Sequence, residues 1–130
     1  MSQNVEIIRR GLEGAERNDI AMMLADAAPD QITQRHEVDA ATYHGPEGVL
    51  QAYLEWTEGF DEFTITGEEF IDLGEQRVMV RVHQRAVGSA SGVPVEADFW
   101  FLYTLRDQRV VRLDMYPQKA QALKSAGLQE

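Results

Sequence analysis

The chain changes hydrophobic period near its middle. Over residues 4–17, Val5, Ile8, Leu12 and Ala15 fall on one helical stripe, with Glu6, Arg9, Glu13 and Arg17 off it. Asn18-Asp19 interrupts the pattern and offers a cap for a second short helix. That helix turns Ile20, Met23, Leu24 and Ala27 inward, ends at Pro29, and uses its methionines as core packing. A third helix begins at Pro46, a residue suited to a first turn, and ends at Gly59. Its stripe is Val49, Ala52, Tyr53 and Trp56, widened by Leu50 and Leu54.

From Phe63 the period is two. Residues 63–66 alternate, Gly67-Glu68-Glu69 shifts the parity as a bulge would, and residues 70–73 resume before a turn at Gly74-Glu75-Gln76. A third strand alternates Val78, Val80 and Val82 with Met79, Arg81 and His83. The loop GSASG at residues 88–92 leads into the densest alternation in the chain, residues 94–117, which reads as a hairpin turning at Arg106-Asp107-Gln108. A short helix around Ala120, Leu123 and Lys124, closed by Gly127, follows. Three helices segregated from a meander of strands predict an α+β fold: one domain over residues 1–130, its helices on one face of a strongly bent sheet. A cone-shaped concavity between helices and sheet is where a small molecule binds.

The strands present two stripes. One is apolar: Val78, Val80, Val82, Gln84 and Ala86, then Ala97, Phe99, Phe101, Tyr103 and Leu105, then Val111, Leu113 and Met115. The other is polar: Arg81, His83 and Arg85, then Glu96, Asp98 and Trp100, then Arg112, Asp114 and Tyr116. The helices need an apolar surface, and leaving each large side chain of the first stripe in water would cost about 1.5–3 kcal/mol. The first stripe is therefore expected to face the pocket. The second is expected outside, with cross-strand charge pairs and with Trp100 and Tyr116 in a homodimer interface. If Asp98 and Asp114 pointed inward, the polar stripe would be the site instead.

Residues 30–38 are read as a short strand that turns Ile32, Gln34, His36 and Val38 the same way. Two polar side chains between aliphatics need partners, which makes Gln34 and His36 pocket candidates. An irregular exposed segment is the alternative. Gln84, an amide on a valine-rich inward stripe, also needs partners that a ligand or trapped water can supply. The remaining pocket candidates are Tyr53, Trp56, Phe99, Phe101, Tyr103 and Met115, for which plain core packing is the competing role.

Composition narrows the function classes. The 130 residues carry 22 acidic and 12 basic side chains, a net charge of −10. A nucleic-acid binder shows a basic patch, and none is visible, while anionic membranes are repelled. There is no cysteine, hence no disulfide or thiolate metal site, which is compatible with a cytoplasmic location. No signal peptide or membrane-spanning run is visible. His36, His44 and His83 have no metal-binding spacing, and neither a phosphate-binding glycine loop nor a GxSxG elbow is present. No metal and no cofactor is expected.

The chain resembles the NTF2-like superfamily, in particular its SnoaL-like (polyketide-cyclase-like) branch. The residues that carry the resemblance are Tyr43-His44-Gly45-Pro46-Glu47-Gly48-Val49, the Ser91-Gly92 pair, Thr104-Leu105-Arg106-Asp107, Arg109-Val110-Val111-Arg112-Leu113, and Gln121-Ala122-Leu123. Their order and spacing cover nearly the whole chain. The resemblance implies a cone-shaped α+β barrel, often dimeric through the sheet, in a family of isomerases, aldol-type cyclases, epoxide hydrolases, dehydratases and members without known activity. Two positions depart from the family pattern. The turn has Asp107-Gln108 in place of Asp-Gly, which predicts a somewhat different turn. Before Tyr116, where many relatives hold an inward acid, stands Met115; the acid, Asp114, is one step earlier and so on the other face.

Three functions are compatible with these residues. One is a cofactor-independent isomerase, cyclase or hydratase acting on a small apolar molecule, with His36 as base and Tyr103 or Gln84 as orienting donor. Another is a non-catalytic binder using the same pocket, which Met115 favours. The last is an interaction module working through its outer sheet face.

Overall fold

The computed structural model describes residues 2–36 and 40–128, so Val38 lies outside the described residues. Helix α1 (Gln3–Glu16) is capped by the Ser2 hydroxyl, which accepts from the Val5 N–H at 3.1 Å, and it buries Val5, Ile7, Ile8, Leu12 and Ala15. Helix α2 (Ile20–Leu24) is capped by Asp19, whose carboxylate accepts from the Met22 N–H at 3.0 Å. It stops earlier than its sequence pattern predicts. Ala27 and Pro29 already belong to strand β1 (Ala27–Arg35). Pro29 is tolerated there because the register slips between Ala27 and Ile32, where no ladder bond needs its missing N–H.

The segment before the third helix forms a short strand, β2 (Thr42–His44), and it buries Tyr43. Helix α3 (Gly45–Thr57) then starts with Pro46 in its first turn. Four strands follow: β3 (Phe60–Gly74), β4 (Arg77–Gly88), β5 (Pro94–Arg106) and β6 (Arg109–Tyr116), then helix α4 (Lys119–Ser125). The sheet runs β2-β1-β6-β5-β4-β3, with β1 and β6 parallel and every other pair antiparallel. It is open, with β2 and β3 at its edges. The bulge expected near Gly67 is present as a register shift between Gly67 and Glu69.

Both tight hairpin turns place two non-glycine residues at positive φ. Glu75 and Gln76 have φ of 53° and 62°; Asp107 and Gln108 have 52° and 65°. Positive φ at both central residues defines the primed turn whose twist matches the strands. Gln108 therefore does not mark a different turn, as its side chain predicts; it occupies the usual one under strain.

The inner face packs α1 on Val78, Val80, Val82, Phe101, Tyr103, Leu105 and Leu113. A register shift between Thr104 and Leu105 moves Val110 into this core in place of the expected Val111. The outer face has an apolar cluster of its own. Met79, Trp100, Leu102 and Tyr116 are buried with Ala122 and Ala126, which α4 and the turn after it supply. Trp100 and Tyr116 are thus covered within the chain, and Lys119 lies over the Trp100 ring at 5.0 Å. The expectation that they face a partner fails because Met79 and Leu102 share their parity and give α4 an apolar seat.

Candidate functional site

Between α1, α3 and the inner sheet face lies a cavity of about 1060 Å³, counted with its open mouth. The sheet follows the first stripe: Gln84 on β4, Phe99, Phe101 and Tyr103 on β5, and Leu113 and Met115 on β6 all line it. Tyr53 and Trp56 line it from α3, one helical turn apart. Seven of the residues singled out from the sequence (Tyr53, Trp56, Gln84, Phe99, Phe101, Tyr103 and Met115) are therefore brought together at one cavity.

Gln34 and His36 are not among them. β1 turns Gln31, Thr33 and Arg35 into the cavity, and these are the buried positions of its second half. Gln34 and His36 alternate to the opposite face. There the His36 Nε2 lies 2.8 Å from the Asp114 carboxylate, and Arg112 bridges Asp114 (2.9 Å) and Gln34 (2.8 Å). The bond to Asp114 raises the Arg112 pKa, so this guanidinium is a fixed charge. The inward reading of His36 fails because it assumed that the aliphatic parity of β1 faces the core. Here the polar parity does.

The cavity's polar groups are few and differ in kind. The Trp56 indole N–H donates to the Gln84 side-chain oxygen at 2.6 Å, and the Trp56 ring meets Phe99 edge-on at 5.2 Å. Gln31 donates to the Thr33 hydroxyl at 3.0 Å. Arg35 is buried, hydrogen-bonds the Tyr43 hydroxyl, and lies 3.6 Å from Glu55. The Tyr43 hydroxyl in turn donates to Glu55 at 2.7 Å. The Tyr53 hydroxyl donates to the Ala15 carbonyl at 3.3 Å. Tyr103 is buried, and its hydroxyl has no hydrogen-bond partner among the described residues. Burial pushes its pKa well up, so it stays a neutral O–H donor at any ordinary pH. The only carboxylate among the lining residues is Asp26, which pairs with Arg10 at 3.3 Å.

The family model for the SnoaL-like domain matches residues 8–113. The chain belongs to the SnoaL-like family. Solved structures agree on the fold. An NTF2-like protein of unknown function from Burkholderia pseudomallei superposes with a TM-score of 0.78 at 23% identity, covering 95% of this chain and 97% of that one. TerC, co-crystallised with polyporic acid, gives 0.79 at 23% identity over the same shares, 95% and 97%. A candidate SnoaL-like polyketide cyclase from Jannaschia sp. CCS1 gives 0.74 at 20% identity, covering 95% and 90%. No curated protein sequence matches.

In this SnoaL-like chain the last strand turns Met115 into the cavity, while Asp114 is buried on the opposite face. Asp98 also lies on that outer face, within a lattice of charges. His83 is held between two carboxylates, Nδ1 to Asp98 at 2.6 Å and Nε2 to Glu96 at 2.9 Å. Arg81 lies 3.7 Å from Asp98 and Arg85 3.4 Å from Glu96. The hydrogen bonds to Asp98 and then to Glu96 raise the His83 pKa. Among the described residues no three His, Asp or Glu side chains cluster as a metal site, and no helix is long and apolar enough to cross a membrane.

Sequence reasoning missed Gln31, Thr33, Arg35 and Asp26. The first three share one parity of β1, and three consecutive alternate polar residues were the available signal.

Proposed function

We propose that this SnoaL-like protein binds a small, flat, largely apolar molecule that carries an oxygen function, in the cavity between α3 and the sheet. The observation that supports it most is Tyr103. A hydroxyl without a partner among the described residues, on the aromatic wall of the cavity, is a donor waiting for an acceptor. The buried Arg35 guanidinium, held by Tyr43 and Glu55, adds a polar edge to the cavity, and Gln84 adds an amide oriented by Trp56. A structural relative crystallised with polyporic acid is in keeping with a small organic ligand.

Phenol binding followed by Trp56 fluorescence tests this reading. Removing the donor in Tyr103→Phe is expected to weaken phenol about three- to tenfold, the range of one net hydrogen bond. Equal affinity of wild type and Tyr103→Phe would sink the assignment of the donor, and absence of binding would sink the cavity reading.

A second reading is favoured by Asp26. As the lone carboxylate lining the cavity, it is the available base for a cofactor-independent isomerase or cyclase, with Tyr103 orienting the substrate oxygen. His36 takes no part in this version. Asp26→Asn then abolishes turnover and leaves binding intact. The exposed part of the outer charge lattice suits a second copy of the chain, since its arginines and acids are self-complementary; sedimentation velocity decides between monomer and dimer.

A further inference from the structure

Next to the main cavity lies a second, more open pocket of about 480 Å³, counted with its open mouth. Four residues line both: Trp56, Phe63, Gln84 and Phe99. The two spaces are therefore parted by side chains. The centre of the partition is Trp56, fixed by its 2.6 Å bond to Gln84 and by its edge contact with Phe99. Beyond these shared residues the second pocket is walled by Phe60, Ala86, Val95 and Ala97. Its two charged neighbours, Arg85 and Glu96, lie 3.4 Å apart as an exposed ion pair and so do not call for a charged ligand.

The pocket is also unfinished as a piece of protein core. Phe60 is 38% exposed and Val95 43%, a pair of large apolar side chains left in water where β3 and β5 flank the end of α3. An apolar group lying across them removes that surface from water.

We propose that this second pocket is an arm subsite adjoining the main cavity across the Trp56 partition. It takes a short unbranched alkyl chain attached to the ring that the main cavity holds, passing beside Trp56. The substrate class is therefore an oxygenated ring with an apolar arm, and this refinement rests on the cavity reading above. Trp56 sets where the ring ends and the arm begins. The length of arm accepted is set by the residues beyond it.

The test uses phenol with para-ethyl-, para-butyl- and para-hexylphenol, titrated against the wild type and Ala97→Phe. Ala97 lines the second pocket, is absent from the main one, and is exposed on β5, so the larger side chain fills the arm subsite alone. In the wild type, affinity is expected to rise by up to about fourfold per added methylene, the factor for one buried methylene. In Ala97→Phe, phenol and para-ethylphenol keep their affinity, which also shows that the variant is folded, while the gain from ethyl to hexyl is lost. A series that gains nothing with length in the wild type overturns the subsite. So does one that gains equally in both proteins, because the arm then lies in the main cavity. If no member of the series binds, the cavity reading itself falls and takes the subsite with it.

Discussion

His36 lies flat on Tyr116, their ring centroids 4.3 Å apart and their planes 7° from parallel. The stack ties the end of β1 to β6 on the outer face, where Tyr116 also donates to the Ser125 hydroxyl at 2.6 Å and so reaches α4. His36 therefore has a structural task. His36→Ala is expected to lower stability by about 1–2 kcal/mol, through the lost ring contact and the lost bond to Asp114. Phenol affinity stays unchanged, since the side chain is on the far side of the sheet. Urea unfolding and the fluorescence titration together check both halves.

His83 gives the fold a pH dependence whose sign follows from its partners. Asp98 and Glu96 favour the imidazolium, so the folded pKa stands above the ordinary value of about 6.5. The stabilisation is complete below that ordinary value and is lost as pH rises through the folded one. The site is partly exposed, so the effect is small. An NMR titration is expected to place the His83 midpoint above that of an unfolded peptide, and Asp98→Asn to bring it back down. In denaturation, His83→Gln loses ground to the wild type on the acid side and draws level at alkaline pH. An NMR midpoint at or below the peptide value would contradict the carboxylate clamp.

The turn at Asp107-Gln108 holds two L-residues at positive φ, and the second gains nothing from it. Gln108→Gly creates the Asp-Gly pair that primed turns prefer and is expected to stabilise the protein by about 1 kcal/mol. A rise in the urea midpoint at unchanged slope is the readout. A fall would mean that the glutamine side chain makes a contact worth more than the strain.

The fold was legible because its strands obey a simple rule over most of their length. Val78, Val80 and Val82, or Phe99, Phe101 and Tyr103, leave no choice of face. The cavity residues on these strands came with the rule. β1 was not legible in the same way. A strand that forms the polar wall of a pocket must turn Gln31, Thr33 and Arg35 inward, and that inverts the pattern by which faces are recognised. Burial of Arg35 depends on Tyr43 and Glu55, eight and twenty residues further along, and local spacing does not reveal such partners. Val110 displaced Val111 for a different reason: a one-residue bulge lies between them and the register of β5, and alternation carries no mark of it.

β1 finds its neighbour β6 across more than half of the chain, so that Arg35 stands beside Met115. A chain emerging from the ribosome has exposed three helices and most of its strands before that neighbour exists. Contacts so distant in sequence are slow to form, because the intervening loop must close first. The sheet therefore cannot close around its pocket until β6 has been made, and Gln31, Thr33 and Arg35 have no cavity to enter before then. A ligand that needs both Tyr103 and Arg35 recognises only the finished molecule, and it will favour that molecule over every partly assembled form.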